Sequence, residues 1–168
     1  MTEHKERKLP EVITIEDFNE LLKATKKPEH RLAFKLGFLC GFRIAEVLNL
    51  KQEDIQRDRG FLFIKQGKGK KDRYVPIPSP IVRDLVNIPI KIKRRALQDS
   101  INKISKKVLN KQIHFHTLRH SGATYYLKQG MNLREIQQLL GHSRIDTTTI
   151  YTHISPNDLQ NKFKELWG

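Results

Sequence analysis

The sequence predicts a mainly helical α+β domain that carries a small antiparallel sheet near residues 55–77. Its 168 residues suit one domain, and 38% apolar with 30% charged residues is typical of a globular chain. Apolar residues recur at helical spacing on both sides of two short strand-like runs, at residues 60–65 and 73–77. We expect residues 1–12 to form a tail or linker and residues 13–168 to form one folded unit.

Capping residues delimit the N-terminal helices. Thr14 precedes the first helix, with Asp17 three residues later as in a capping box. A second helix is predicted over residues 30–40 and ends at Gly41, which can adopt the left-handed conformation. A short helix follows over residues 43–50, and its inward residues are Ile44, Val47 and Leu48.

The two strand-like runs flank residues 66–72, a basic segment punctuated by glycines, and this pattern predicts a hairpin. Pro76 cannot donate a ladder hydrogen bond, so the second strand is expected to be short or to lie at an edge. Residues 81–113 look helical but carry no clear start or stop signal. A helix over residues 118–129 is better marked.

The C-terminal part contains three further helix signals. Asn132, with Glu135 three residues later, begins a helix that ends at Gly141. Ser143 can cap a short helix that leads to Tyr151. Ser155 and Pro156 begin a last helix, whose apolar side is formed by Leu159, Phe163, Leu166 and Trp167. This side either docks on its own domain or contacts a neighbouring subunit.

Composition limits the class of protein. The single cysteine, Cys40, excludes an internal disulfide framework and a Cys-based zinc cluster. The sequence shows neither a long apolar run nor a signal peptide, so we expect a cytoplasmic protein without membrane association. A net charge of +14 indicates either a nucleic-acid partner or a lysine-rich solvated surface. The clustering of the basic residues at 65–73, 91–95 and 103–111 favours nucleic acid.

Two basic side chains stand in positions suited to phosphate chemistry. Arg43, at the start of a short helix, can donate two hydrogen bonds to a phosphate while Glu46 holds it in place. The alternative is an ordinary surface Arg–Glu pair. Lys68, between Gly67 and Gly69, can donate a proton to a leaving oxygen, or it can belong to a flexible basic turn. Such a turn contacts DNA phosphates without sequence preference, as we expect of Lys70, Lys71 and Arg73.

Histidines form the other chemical signals. His116 and Arg119 are three residues apart at a helix start and can face one anion. His120 lies one turn after His116, which allows a metal pair or, as we favour, an internally packed side chain. His142 follows the helix stop at Gly141, where it can also cap the helix C-terminus. Tyr151 lies in a polar stretch, where its phenol can act as a nucleophile.

These motifs occur in one order along the chain, and together they resemble the tyrosine recombinase (phage integrase) family over residues 14–155. The matching segments are Gly41-Phe42-Arg43-Ile44-Ala45-Glu46-Val47, Gly67-Lys68-Gly69-Lys70-Lys71-Asp72-Arg73, His116-Thr117-Leu118-Arg119-His120, Leu139-Leu140-Gly141-His142-Ser143 and Tyr151. The His116–Arg119 and His142–Tyr151 blocks are the most specific of these.

The resemblance implies site-specific cleavage and rejoining of double-stranded DNA. Arg43 and Arg119 would clamp the scissile phosphate, Lys68 would protonate the leaving 5′-hydroxyl and His116 would assist proton transfer. His142 would hydrogen-bond the phosphate, and Tyr151 would form a 3′-phosphotyrosyl bond. No metal or cofactor is implied, because these cations can stabilise the transition state themselves.

The resemblance also implies which domains the chain contains and how its subunits assemble. Family members usually carry an N-terminal helical core-binding domain, and we expect it to be absent here. Subunits are expected to form a homo-oligomer, a tetramer, on DNA and to be monomers in solution, with the C-terminal helix as an assembly element. Two alternatives remain: DNA relaxation like that of a type IB topoisomerase, and a catalytically silent DNA-binding module.

Overall fold

Helix boundaries in the computed structural model follow local capping signals. The structure describes residues 11–66, 72–141 and 156–168. Its helices are α1 (Ile15–Ala24), α2 (Pro28–Leu39), α3 (Ile44–Asn49), α4 (Arg94–Leu109), α5 (Phe115–Lys128), α6 (Leu133–Leu140) and α7 (Pro156–Trp167). The predicted capping boxes at Thr14–Asp17 and Asn132–Glu135 are both present. Gly41 and Gly141 have φ angles of 66° and 67°, as predicted for residues that end helices.

Helices α2 and α5 pack closely at the centre of the domain. Gly122 lets α5 approach the backbone of Phe38 on α2. Phe38 in turn stacks on Phe18 of α1, with ring centroids 4.2 Å apart. This packing matters for the site because α2 leads through Gly41 to Arg43, while α5 carries His116 and Arg119.

The predicted sheet is confirmed as a three-stranded antiparallel sheet within residues 55–77. Strands β1 (Ile55–Gln56), β2 (Phe61–Ile64) and β3 (Arg73–Pro76) lie in the order β1-β2-β3. Ile64 pairs with Arg73 across β2 and β3, so the basic segment joins two paired strand ends. Pro76 lies on an edge strand, as predicted.

Residues 81–113 are only partly helical, whereas the sequence predicts a helical region without clear bounds. Pro78, Pro80 and Pro89 restrict the first part to two 3₁₀ turns, at Ser79–Ile81 and Asp84–Asn87. Only α4 is a regular helix, and it ends at Asn110, which has a φ of 52°. Across the described part of the chain, no helix is both long and apolar enough to cross a membrane.

Helix α7 docks on its own domain, which is one of the two roles expected for its apolar side. Leu159 and Phe163 are at most 2% exposed, and Leu166 and Trp167 pack against the same core. Phe163 stacks on Tyr126, and the Trp167 indole donates a hydrogen bond to the Tyr126 hydroxyl at 3.2 Å. The apolar side of this helix is therefore buried at Leu159 and Phe163 and partly buried at Leu166 and Trp167.

Candidate active site

Arg43 and Glu46 form the first part of the site, at the N-terminus of α3. The Arg43 backbone N–H donates to Glu46 Oε2 at 2.9 Å, and its Nη1 donates to Oε1 at 3.2 Å. The predicted contact between these residues is therefore present. The Arg43 side chain keeps 36% of its surface exposed, whereas that of Glu46 keeps 9%. The guanidinium is thus held by Glu46 through Nη1, while part of the side chain stays open to solvent.

Glu46 has further partners that the sequence reasoning missed. Arg73 Nη1 and Nη2 donate to the two carboxylate oxygens, each at 2.9 Å, and Gln66 Nε2 donates to Oε1 at 2.9 Å. Burial would raise the pKa of the Glu46 carboxyl. The hydrogen bonds and charge of Arg73, with the contributions of Gln66 and the Arg43 backbone, instead lower this pKa to about 2. Glu46 is therefore ionised at neutral pH.

The predicted DNA contact of Arg73 is wrong for this structure. Arg73 is only 4% exposed, and its Nε donates to the Leu139 carbonyl at 3.0 Å in addition to the two bonds to Glu46. The burial of Arg73 could have been predicted from strand alternation, because Arg73 shares its strand face with the apolar Val75, which is fully buried. The sequence interpretation had instead grouped Arg73 with the neighbouring lysines.

Arg119 forms the second part of the site. It is 2% exposed, and its two Nη atoms donate to the carbonyls of Gly41 and Leu140. These partners are neutral and do not cancel its charge. Burial, and then the positive charge of Arg43, lower the pKa of the Arg119 guanidinium to about 10, so that it stays protonated at neutral pH.

His116 lies in the first turn of α5, beside His120. The two rings meet edge to face, with centroids 4.4 Å apart. Partial burial, followed by the charges of His120, Arg119 and Arg43, lowers the pKa of the His116 imidazole. Burial and the charge of Arg119 lower the pKa of the His120 imidazole. The lowered pKa favours the neutral form of both rings, and a neutral His116 can accept a proton.

Two glycines bring the segments of the site together. A side chain on Gly41 would place its Cβ 2.5 Å from Leu140 Cδ2, and one on Gly141 would place it 2.7 Å from Arg73 Cδ. Both residues also have positive φ angles, which other residues rarely adopt. The turn after α2 and the end of α6 can therefore meet beside the arginines.

Several predicted site residues lie outside the described part of the chain: Lys68, Lys70, Lys71, His142 and Tyr151. Their described neighbours are Gln66, Asp72 and Gly141. The Gln66 backbone N–H donates to Asp72 Oδ1 at 2.9 Å, which joins the two ends of the basic segment. The described residues also contain no group of three His, Cys, Asp or Glu side chains that could hold a metal ion.

The tyrosines on α5 have structural roles, as their mid-helix position predicts. Tyr126 is fully buried and donates its hydroxyl proton to the Leu39 carbonyl. Burial raises the pKa of this phenol well above 10, which disfavours a nucleophilic phenolate. Tyr125 is partly buried and packs against the rings of Phe38 and Trp167.

Solved structures share this arrangement of elements. The crystal structure of XerA recombinase matches with a TM-score of 0.73 and 26% identity, over 94% of this chain and 65% of that chain. A lambda integrase dimer bound to a COC′ core site matches with a TM-score of 0.68 and 19% identity, over 88% of this chain and 63% of that chain. The second match, at this identity, concerns the fold alone.

Sequence comparison gives the family. A tyrosine recombinase from Pseudothermotoga lettingae is 34% identical over 165 residues, which cover 88% of this chain and 58% of that relative. The chain thus spans less than two thirds of the relative's length. The model of the phage integrase family matches residues 11–158. This range includes the three arginines of the site, Glu46 and the two histidines of α5. The chain therefore belongs to the phage integrase family.

Proposed function

We propose that this chain is the catalytic domain of a tyrosine site-specific recombinase, which cuts and rejoins DNA through a 3′-phosphotyrosyl intermediate. One observation carries the proposal. In the described part of the site, the guanidinium groups of Arg43 and Arg73 bind the single carboxylate of Glu46, and the charge of Arg119 interacts with it electrostatically. Two positive charges are therefore left uncompensated. Such a site suits a phosphate whose charge grows in the transition state.

The chemistry assigns one role to each side chain. The Tyr151 oxygen attacks the scissile phosphorus, a bond from that oxygen to phosphorus forms and the bond from phosphorus to O5′ breaks. His116 accepts the phenolic proton, and Lys68 donates a proton to O5′. Arg43 and His142 hold the non-bridging oxygens, and the charge of Arg119 stabilises them from its buried position. Because the tyrosyl ester keeps the energy of the phosphodiester, a 5′-hydroxyl can attack it and rejoin the strand without ATP.

A basic groove between α2 and α4 supports double-stranded DNA as the substrate. Its lysines are Lys26, Lys27, Lys91, Lys93 and Lys103. Lys27 and Lys93 are the N-cap residues of α2 and α4, and neither cap makes a side-chain hydrogen bond. Cations at a helix N-terminus oppose the helix dipole, which favours anions there. A DNA phosphate in the groove would relieve this repulsion. Glu29 also lines the groove, but the five lysines leave it net positive and suited to a phosphate backbone.

The groove can be tested by the salt dependence of DNA binding. Replacing both Lys27 and Lys93 by Ala should lower the slope of log Kd against log salt by about 2, since each phosphate contact contributes about 0.9. The probe is a mixed-sequence duplex of roughly three helical turns. The matched control is Lys23→Ala, because Lys23 pairs with Glu20 on the surface of α1. An unchanged slope in the double variant would place the DNA elsewhere.

We also propose that the protein assembles as a homo-tetramer on DNA and is monomeric in solution. The lambda integrase dimer on its core site supports assembly on DNA. Mass measurements with and without duplex test this directly, and a multimer that forms without DNA would contradict it.

Covalent capture tests the catalytic proposal. The chain is incubated with a library of nicked duplexes that have randomised arms, and adducts that survive denaturation are recovered and sequenced. The parent should form such adducts, and Tyr151→Phe, which loses only the attacking oxygen, should form none. Adducts that persist in Tyr151→Phe would overturn the nucleophile. Plasmid relaxation without recombination sites would instead favour the topoisomerase alternative, which the recombinase relatives do not favour.

A further inference from the structure

Arg73 connects three segments of the site. It is the first residue of β3, and its side chain is 3% exposed. Its two Nη atoms contact Glu46 on α3, and its Nε contacts the Leu139 carbonyl near the end of α6. One buried guanidinium therefore joins the start of α3, the end of the basic segment and the end of α6.

The fit of Arg73 against α6 is tight. Gly141 follows α6 and precedes His142 in the chain. A Cβ on Gly141 would lie 2.7 Å from Arg73 Cδ and 3.0 Å from Nη1. The arginine side chain thus occupies the space beside this residue, and any displacement of Arg73 leaves the turn at Gly141 without its support.

The basic segment is fixed to the same carboxylate at both of its ends. Gln66 Nε2 donates to Glu46 Oε1 at 2.9 Å before the segment, and Arg73 Nη1 donates to the same oxygen at 2.9 Å after it. Glu46 Oε1 also accepts a bond from Arg43 Nη1. The positions from which the segment containing Lys68 departs are therefore set relative to the Arg43 guanidinium.

We propose that Arg73 is a positioning residue of the cleavage reaction, which fixes Arg43 through Glu46 and fixes the chain ends that lead to Lys68 and His142. This inference rests on the proposed function. Only a planar guanidinium can donate to two carboxylate oxygens and a carbonyl at once, whereas a lysine ammonium is a point charge that satisfies one of these directions well. The role therefore requires arginine and not merely a positive charge.

Arg73→Lys is the main test, because it keeps a positive charge beside buried Glu46 and so preserves the fold. With saturating protein and a nicked duplex recovered by covalent capture, the rate of adduct formation should fall about 10-fold or more, as expected for misplaced catalytic groups. The Kd for DNA should stay within about 2-fold, because Arg73 does not reach the surface. The control is Arg59→Lys, since Arg59 lies over Tyr74 on the same sheet, and it should leave the rate unchanged.

The pH profile distinguishes positioning from a general effect on stability. The charged groups that contact Glu46 are Arg43 on its own helix and Arg73 on β3, and Arg119 on α5 interacts with it electrostatically. In Arg73→Met the burial of Glu46 is no longer opposed by Arg73, so the carboxyl protonates at higher pH and releases Arg43. The variant's cleavage rate should then fall more steeply than the parent's as pH drops from 7 to 5, and adding Glu46→Gln should remove this extra dependence.

Each result supports or overturns the inference. A parent that forms no adduct overturns the proposed function and, with it, the positioning role. If the parent cleaves and Arg73→Lys cleaves equally fast, only the positioning role is overturned. A loss of DNA affinity that accounts for the whole loss of rate would show a DNA contact instead. Should Arg73→Met fail to fold, Arg73→Lys with its control decides the question.

Discussion

Gly122→Ala is expected to damage both the stability of the domain and its active site. A Cβ at this position would lie 2.0 Å from the Phe38 carbonyl oxygen and 2.9 Å from its carbonyl carbon, whereas ordinary contacts begin at 3.4 Å. The obstructing atoms belong to the backbone of α2, so no side-chain rotation relieves the clash. Helices α2 and α5 would have to separate by about 1 Å or more.

The cost can be estimated from this geometry. Overpacking of a close contact costs about 1–3 kcal/mol and sometimes more, while Ala gains about 1 kcal/mol over Gly within a helix. Because the clash is with backbone, we expect a gross cost above this range, about 4 kcal/mol, and hence a net loss of about 3 kcal/mol. This loss lowers Tm by about 6–12 °C in a domain of this size. Arg119 lies one turn before Gly122 and donates to Gly41 beyond α2, so it moves with α5. The cleavage rate should fall about 100-fold.

Thermal melting and single-turnover adduct formation, the latter below the melting range of the variant, measure the two effects. Gly37→Ala is the matched control, because its Cβ would meet the Phe115 ring at 3.1 Å and a ring can shift. We expect its Tm to stay within a few degrees of the parent. A parental Tm and rate in Gly122→Ala would refute the close helix contact. Lost stability with a parental rate would refute the link between helix packing and Arg119.

Three further outcomes follow from the site. Arg43→Ala should slow adduct formation by roughly 100-fold or more with little change in Tm, whereas Arg119→Ala should lower both, because it leaves the Gly41 and Leu140 carbonyls without their donor. The depressed pKa of Glu46 means that its contribution of about 3 kcal/mol is complete above pH 4.5 and is lost as pH falls towards 2. The free energy of unfolding, measured with urea, should therefore fall more for the parent than for Glu46→Gln over this pH range. Treatment with EDTA should leave the cleavage rate unchanged, since guanidinium groups supply the positive charge; a requirement for added Mg²⁺ would contradict this.

Local signals predicted the elements that carry the site. Thr14 and Asn132 begin their helices as expected, because a cap and its partner three residues later are neighbours in any helix start. The Arg43–Glu46 contact was predictable for the same reason. The start of α4 was not, because the 3₁₀ turns that precede it pack against α2, which is distant in the sequence.

The sequence did not predict contacts between residues that are far apart in the chain. Arg73 stands among lysines in the chain, and that context predicted a surface DNA contact. The fold instead buries it against Glu46, 27 positions earlier, and the Leu139 carbonyl, 66 positions later. The apolar side of α7 was likewise visible in the sequence, but its partner, the Tyr126 ring, was not.

The sequence by itself thus determined the chemical kinds of the site residues, their order and the helices that present them, because these depend on side-chain type and on spacing within one turn. The tertiary structure alone decided which arginine side chains stay exposed enough to contact a phosphate. Arg43 stays partly exposed while Arg73 and Arg119 are buried with different partners. That choice depends on burial and on hydrogen bonds between segments that only the packed fold brings together.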